Sequence, residues 1–125
     1  MSAIARKNLI AVVDDDELVR GALQRLLKAS SLGAVSFGSA EDLLKSGQLP
    51  DIACLIVDIR MPGMSGLELQ AKLKAERCRI PIIFITAHGD AKMRTQAMGD
   101  GAVKFLAKPF DNTVLLEAVH AALGD

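Results

Sequence analysis

The chain has 125 residues, enough to bury one core and too few for two. Half of them are apolar, yet only four are aromatic and all four are Phe, so the core must be aliphatic. Fifteen basic side chains balance fifteen acidic ones, which excludes a nucleic-acid or anionic-membrane surface working by bulk charge, so any electrostatic function has to be local.

Residues Met1 to Asn8 carry no apolar h-region, and no apolar run approaches the roughly 20 residues of a membrane span, so cytoplasm is the expected compartment. Leu9 to Val13 is apolar throughout, as a strand buried on both faces should be. Asp16 then stands where an N-cap belongs, ahead of a helix with Val19, Ala22, Leu23, Leu26 and Leu27 on one stripe. Ala34 to Phe37 reads as a short second strand. Ser39-Ala40-Glu41-Asp42 has capping-box spacing and opens a brief helix with Leu43 and Leu44 inward, and Gly47 to Asp51 reads as loop. Ile52 to Val57 is the central strand; Ser65-Gly66-Leu67-Glu68 is a second capping box, starting a helix that carries Leu69 and Leu73.

Pro81 opens a strand over Ile82 to Ile85, where a proline is tolerated because it comes first. Asp90 caps a thin helix with Met93, Ala97 and Met98 on its stripe, broken early by Gly99-Asp100-Gly101. Ala102 to Ala107 is the last strand, and Asp111 starts a helix carrying Leu115, Ala118, Val119, Ala122 and Leu123. Each crossover is long enough for a right-handed βαβ unit. The predicted fold is therefore a single α/β domain over 1–125, a three-layer sandwich with helices on both faces of a parallel sheet. Cys54 and Cys78 belong to no CxxC or Cys/His cluster and read as reduced thiols, with Cys54 buried in the central strand.

The chemistry gathers at strand ends. Cys54-Leu55-Ile56-Val57-Asp58 runs from apolar strand to a single carboxylate, and Ile59-Arg60-Met61-Pro62-Gly63-Met64-Ser65-Gly66 turns at once. Val12-Val13-Asp14-Asp15-Asp16 repeats the pattern, Ile85-Thr86 ends a third strand in a hydroxyl, and Leu106-Ala107-Lys108 ends a fourth in an ammonium. Open α/β sheets place chemistry at the carboxyl ends of their strands, so parallel neighbours would bring all of these groups to one edge. Asp14, Asp15 and Asp58 within a few ångströms of one another would repel by about 4 kcal/mol per pair at an effective dielectric near 20, unless a cation intervenes. Oxygen-only ligands with room for water suit Mg²⁺. Carboxylate nucleophile, metal, ammonium and hydroxyl together are the parts for phosphoryl transfer to an aspartate.

The ordered set Val13-Asp14-Asp15-Asp16, Val57-Asp58 through Ser65-Gly66, Ile85-Thr86-Ala87, Gly101-Ala102 and Lys108-Pro109-Phe110 resembles the receiver domain of two-component response regulators over essentially the whole chain. The resemblance implies a flavodoxin-like (βα)5 fold with strand order 2-1-3-4-5. It implies that Asp58 accepts a phosphoryl group from a phosphohistidine on a sensor histidine kinase. It further implies that Asp15, Asp58 and the backbone carbonyl of Arg60 ligate Mg²⁺, with Mn²⁺ able to substitute, and that Asp14 acts through bound water. Lys108 would pair with Asp58 and then with the phosphoryl oxygens, and the Lys108–Pro109 peptide would be cis. Thr86 and Phe105 would be the conformational switch, the ring turning inward as the threonine hydroxyl moves toward the phosphoryl group. Phe105 has no hydroxyl of its own, so a bias toward the inward state is expected even without phosphate.

The run Thr86-Ala87-His88-Gly89-Asp90 is similar to receivers of the nitrogen-fixation regulator type, which precede DNA-binding output domains. Arg60 and His88 would tune how water reaches the acyl phosphate, and this bulky pair predicts a phospho-form that lasts minutes. His120, off the apolar stripe of the last helix, reads as a solvated helix-end residue. Such a receiver promotes its own phosphorylation and dephosphorylation and turns over no external substrate. It admits a phosphorylation-dependent homodimer and contacts neither nucleic acid nor membrane itself. A departure falls at Lys104, where the family commonly places an acidic residue that forms salt bridges across a dimer face. Two rivals accompany this reading. A Mg²⁺-dependent phosphatase with an aspartyl-phosphate intermediate would need a second acid two residues after Asp58, where Arg60 stands; a binding module with a vestigial site would ignore the site residues altogether.

Overall fold

The computed structural model describes residues 9–87 and 89–124. Among them five strands, β1 (Leu9–Val13), β2 (Gly33–Phe37), β3 (Ile52–Asp58), β4 (Ile82–Thr86) and β5 (Lys104–Ala107), alternate with five α-helices, α1 (Glu17–Ala29), α2 (Ala40–Lys45), α3 (Gly66–Ala75), α4 (Ala91–Gly99) and α5 (Asn112–Leu123). The sheet is parallel throughout, in the order β2-β1-β3-β4-β5. The doubly wound fold read from the chain is the one it adopts.

Each helix starts at the cap the sequence marks, because a short polar side chain satisfies N–H groups that have no partner within the helix. Asp16, Ser39, Ser65, Asp90 and Asp111 all accept from the first turns of their helices. The box at Ser65 closes in both directions, with Glu68 reaching back to the Ser65 N–H. At Ser39 the bond runs from the Asp42 N–H to the serine oxygen, and an aspartate is one methylene shorter than the glutamate of a full box.

Alternation along the strands divides the core in two. Ala11, Val13, Leu55, Val57, Phe84 and Phe105 face α2, α3 and α4 through Leu43, Leu69, Leu73 and Ala97. Ile10, Val12, Cys54, Ile56, Ile83 and Ile85 face α1 and α5 through Leu23, Leu27, Leu115, Ala118 and Val119. Because β1 and β3 are covered on both sides they are fully apolar, and a charged residue can sit only where each of them ends.

Several boundaries and facings differ from the sequence reading. β5 begins at Lys104, since the N–H of Ala102 is used in closing the end of α4 onto the Ala97 carbonyl. β3 and β4 each extend one residue further, to Asp58 and Thr86, because those residues still pair with Ile85 and Ala107. β2 begins one residue earlier, at Gly33, opposite Leu9. Leu49–Asp51 winds into a 3-10 turn within the expected loop. Ala22 is exposed and Met98 is 39% exposed. Each lies next to a fully buried residue, Leu23 or Ala97, and successive helical residues point about 100° apart.

Candidate functional site

Four strand ends converge at the carboxyl edge of the sheet. Asp14 follows β1, and its N–H donates to the Phe37 carbonyl at 3.1 Å, carrying the ladder one residue past the strand. Asp58 is the last residue of β3, and the next N–H, of Ile59, donates to the Ile85 carbonyl at 3.2 Å. Thr86 closes β4, and its carbonyl accepts from the Lys108 N–H at 2.8 Å, just beyond β5. The chemistry-bearing residues are thus held by sheet hydrogen bonds, which fixes them more tightly than a free loop would.

One carboxylate oxygen from each of Asp14, Asp15 and Asp58 lies within 4.8 Å of the others. Asp14 and Asp58 are buried and Asp15 is exposed. The Lys108 ammonium reaches into the cluster, 2.9 Å from Asp14 Oδ2 and 3.4 Å from Asp58 Oδ2, and the Lys108–Pro109 peptide is cis. The sequence reading paired Lys108 with Asp58; the shorter bond goes to Asp14, whose burial leaves it the greater need of a counter-charge. Both oxygens of Asp14 are engaged, since Oδ1 accepts from the Asp16 N–H at 2.8 Å. Asp58 is held by longer contacts, with Oδ1 accepting from the Arg60 N–H at 3.3 Å.

Burial, and after it the Asp14 charge, hold the Asp58 carboxyl above the usual carboxylate range against the pull of Lys108 and the Arg60 N–H. Burial pulls the Lys108 ammonium down, but the bond to Asp14 and the charges of Asp14 and Asp58 outweigh it, so its pKa stands above the ordinary lysine value. A pocket with more buried negative charge than one amine can balance is chemically suited to a hard cation held by oxygen.

Thr86 is 1% exposed and Phe105 is 7% exposed, so the ring is turned inward in this structure. It packs under the loop after β4, where a Cβ on Gly89 would lie 2.8 Å from the ring and 2.6 Å from Thr86 Cγ2. The Arg94 guanidinium sits 5.9 Å from the ring centre and donates to the Phe105 carbonyl at 3.4 Å. Arg60 is exposed, two residues beyond Asp58, and Lys104 is exposed at the start of β5. His88 lies outside the described residues.

Two residues near the site had no motif that tied them to it. Arg20 donates to the Asp14 carbonyl at 2.7 Å, bracing the loop between β1 and α1. Glu41 accepts from the Met64 N–H at 2.9 Å, joining α2 to the loop after β3. Arg20 falls in no motif and Glu41 only within the capping-box run Ser39–Asp42, and 23 positions separate Glu41 from its partner.

The comparisons with known proteins agree with this geometry. The family model for the response regulator receiver domain matches residues 10–120. The chain belongs to the response regulator receiver domain family. Nodulation protein W of Bradyrhizobium diazoefficiens is 48% identical over 117 residues, 93% of this chain and 51% of that protein. Transcriptional regulatory protein FixJ of Azorhizobium caulinodans is 43% identical over 115 residues, 92% of this chain and 54% of that protein. Among solved structures, response regulator StyR superposes with a TM-score of 0.88 at 45% identity, covering 94% of this chain and 60% of that one. The crystal structure of FixJ-N does so with a TM-score of 0.83 at 41% identity over 93% of each chain. The chain spans about half the length of the curated relatives it matches. This receiver domain is a signalling module of the FixJ type, and no described helix is long and apolar enough to cross a membrane.

Proposed function

We propose that this receiver domain is the phosphoacceptor of a two-component system and that Asp58 takes its phosphoryl group from a phosphohistidine of a sensor histidine kinase. The observation that carries the reading is the convergence of three carboxylates within 4.8 Å, with the Lys108 ammonium 3.4 Å from Asp58 Oδ2. An ionised Asp58 oxygen attacks phosphorus; the new O–P bond forms as the P–N bond breaks, and the imidazole leaves with the bonding electron pair. Lys108 is near enough to follow the charge from the Asp58 carboxylate onto the transferring oxygens, and the Thr86 hydroxyl at the end of β4 donates to one of them. The reaction is on the domain itself and not on an external substrate. An exposed arginine, Arg60, occupies the position where a phosphatase would keep its second acid.

The donor set fits Mg²⁺, or Mn²⁺ in its place, because it is all oxygen and carries uncompensated negative charge. Asp15, Asp58 and the Arg60 carbonyl would hold the ion. Asp14, with both oxygens already bonded, would act through water. When bound, the ion supplies positive charge to the phosphoryl oxygens. Thr86 and Phe105 then act as the switch, and Arg60 and His88 set how water reaches the acyl phosphate. As a FixJ-type receiver the domain would work in the cytoplasm, governing a DNA-binding output domain in a longer protein, with a phosphorylation-dependent homodimer as its active assembly.

Intact mass measured after incubation with acetyl phosphate and Mg²⁺ tests the reading. One added phosphoryl mass on the wild type and none on Asp58→Asn is the expected result. Failure of the wild type to label, or label persisting on Asp58→Asn, refutes it.

A further inference from the structure

We propose that Glu41 is a positioning residue for phosphoryl transfer, a clamp from α2 that holds the loop after β3 in the shape that presents the Arg60 carbonyl beside Asp58. This inference rests on the phosphoacceptor reading above. The loop from Ile59 to Ser65 is closed at its base by the Gly66 N–H, which donates to the Ile59 carbonyl at 2.8 Å. Its far side is held from outside by the Glu41 carboxylate, whose Oε2 accepts the Met64 N–H at 2.9 Å.

Gly63 adopts φ +75, and a Cβ there would stand 2.5 Å from Glu41 Oε2 and 3.3 Å from its Cδ. Glycine suits that position for its left-handed backbone, and a side chain there would push the Glu41 carboxylate away from the Met64 N–H. Glu41 Oε1 is buried without a hydrogen-bond partner among the described residues, and the carboxylate's bond to the loop is made through Oε2. The bond from the Met64 N–H favours the ionised form and keeps the carboxyl below its ordinary pKa.

Between those anchors the Arg60 N–H donates to Asp58 Oδ1 at 3.3 Å and Pro62 has no N–H to give, so the bond from Met64 to Glu41 is the hold from α2 on the segment that follows the Arg60 carbonyl. Partners bonded directly to a metal ligand typically cost about 10- to 100-fold in metal affinity when removed, and Glu41, which grips the same loop at Met64, is expected at the low end of that range.

Three variants and three readouts test the clamp: Mg²⁺ titration followed by amide chemical shifts, hydrogen exchange at Met64, and the rate of labelling by acetyl phosphate. Glu41→Ala is expected to weaken Mg²⁺ binding about tenfold, to slow labelling at limiting Mg²⁺ by a similar factor and to speed exchange at Met64. Glu41→Gln keeps an acceptor oxygen and is expected to stay within about threefold of the wild type. Leu44→Ala, on the same helix, removes apolar packing but no bond to the loop and is expected to change neither Mg²⁺ affinity nor Met64 exchange. Unchanged Mg²⁺ affinity in Glu41→Ala, on a background where the wild type labels normally, overturns this inference alone. Equal losses in Leu44→Ala overturn it too, as general loosening. A wild type that does not label overturns the phosphoacceptor reading and the clamp with it.

Discussion

Replacing Asp58 by Asn should stabilise the metal-free protein, although it removes an ion-pair partner of Lys108. Asp58 and Asp14 offer oxygens within 4.8 Å, a separation at which two unit charges repel by about 3.5 kcal/mol at an effective dielectric near 20. Lys108, at 3.4 Å, returns about 5 kcal/mol of attraction on the same scale. These terms largely offset each other, leaving the cost of burying the Asp58 charge, of order several kcal/mol for a buried ion. Lys108 keeps its 2.9 Å bond to Asp14 in the variant, so no cation is stranded. The net expected gain is about 1–2 kcal/mol, or a rise in Tm of roughly 3–6 °C for a domain of this size.

The pH dependence has a definite sign. The folded-state pKa of Asp58 is raised, so the wild type is favoured below the ordinary carboxylate pKa and loses that stability as pH climbs to the folded value. Asn does not titrate. The advantage of the variant should therefore open across that window and stay constant above it. Thermal denaturation in EDTA from about pH 4 to about pH 8 measures this, and saturating Mg²⁺ should narrow or reverse the gap, because a bound cation stabilises only the protein that retains its ligands. A lower midpoint for Asp58→Asn in EDTA at neutral pH, or a gap that ignores pH, refutes the electrostatic reasoning.

Gly66→Ala should cost about 2–3 kcal/mol, because the added methyl would meet the Asp58 carbonyl at 2.6 Å and Ile59 Cα at 2.9 Å, backbone atoms that cannot swing aside; an unchanged urea midpoint would contradict this. In Gly89→Ala the new methyl would press on the Phe105 ring at 2.8 Å, so the ring's NMR signals should shift and its burial fall; spectra identical to the wild type would show that the inward packing does not depend on that glycine. Cys54 is buried, which pushes its thiol up to about 12, whereas Cys78 is half-buried. Iodoacetamide at mildly alkaline pH should therefore modify one cysteine of the native protein and both after denaturation; rapid native labelling of Cys54 would mean that β3 opens far more readily than its burial implies.

Much of this architecture was legible in the chain because the signals are local. The apolar runs of β1 and β3 require cover on both faces, and the five caps require only a short oxygen-bearing side chain one position before each helix. The placement of Asp14, Asp58, Thr86 and Lys108 at strand ends follows from the same pattern, since a polar group is first met where each apolar run stops. The departures lie where local pattern is silent. Ala22 and Met98 fit an apolar stripe, but how wide a stripe a helix buries depends on how it rests on the sheet. Ala102 looks like strand, yet the end of α4 takes its N–H first.

The sequence by itself determined the parallel α/β class, the capped helices and the list of groups gathered at one edge, because each depends on residues within a few positions of one another. The tertiary structure alone decided which charges touch. Lys108 lies nearer Asp14 than Asp58, Arg20 braces the loop after β1, and Glu41 grips a loop 23 residues away. The physical reason is that hydrogen bonds and ion pairs form or fail over about an ångström, and distances between segments far apart in the chain are set only when the helices and strands pack.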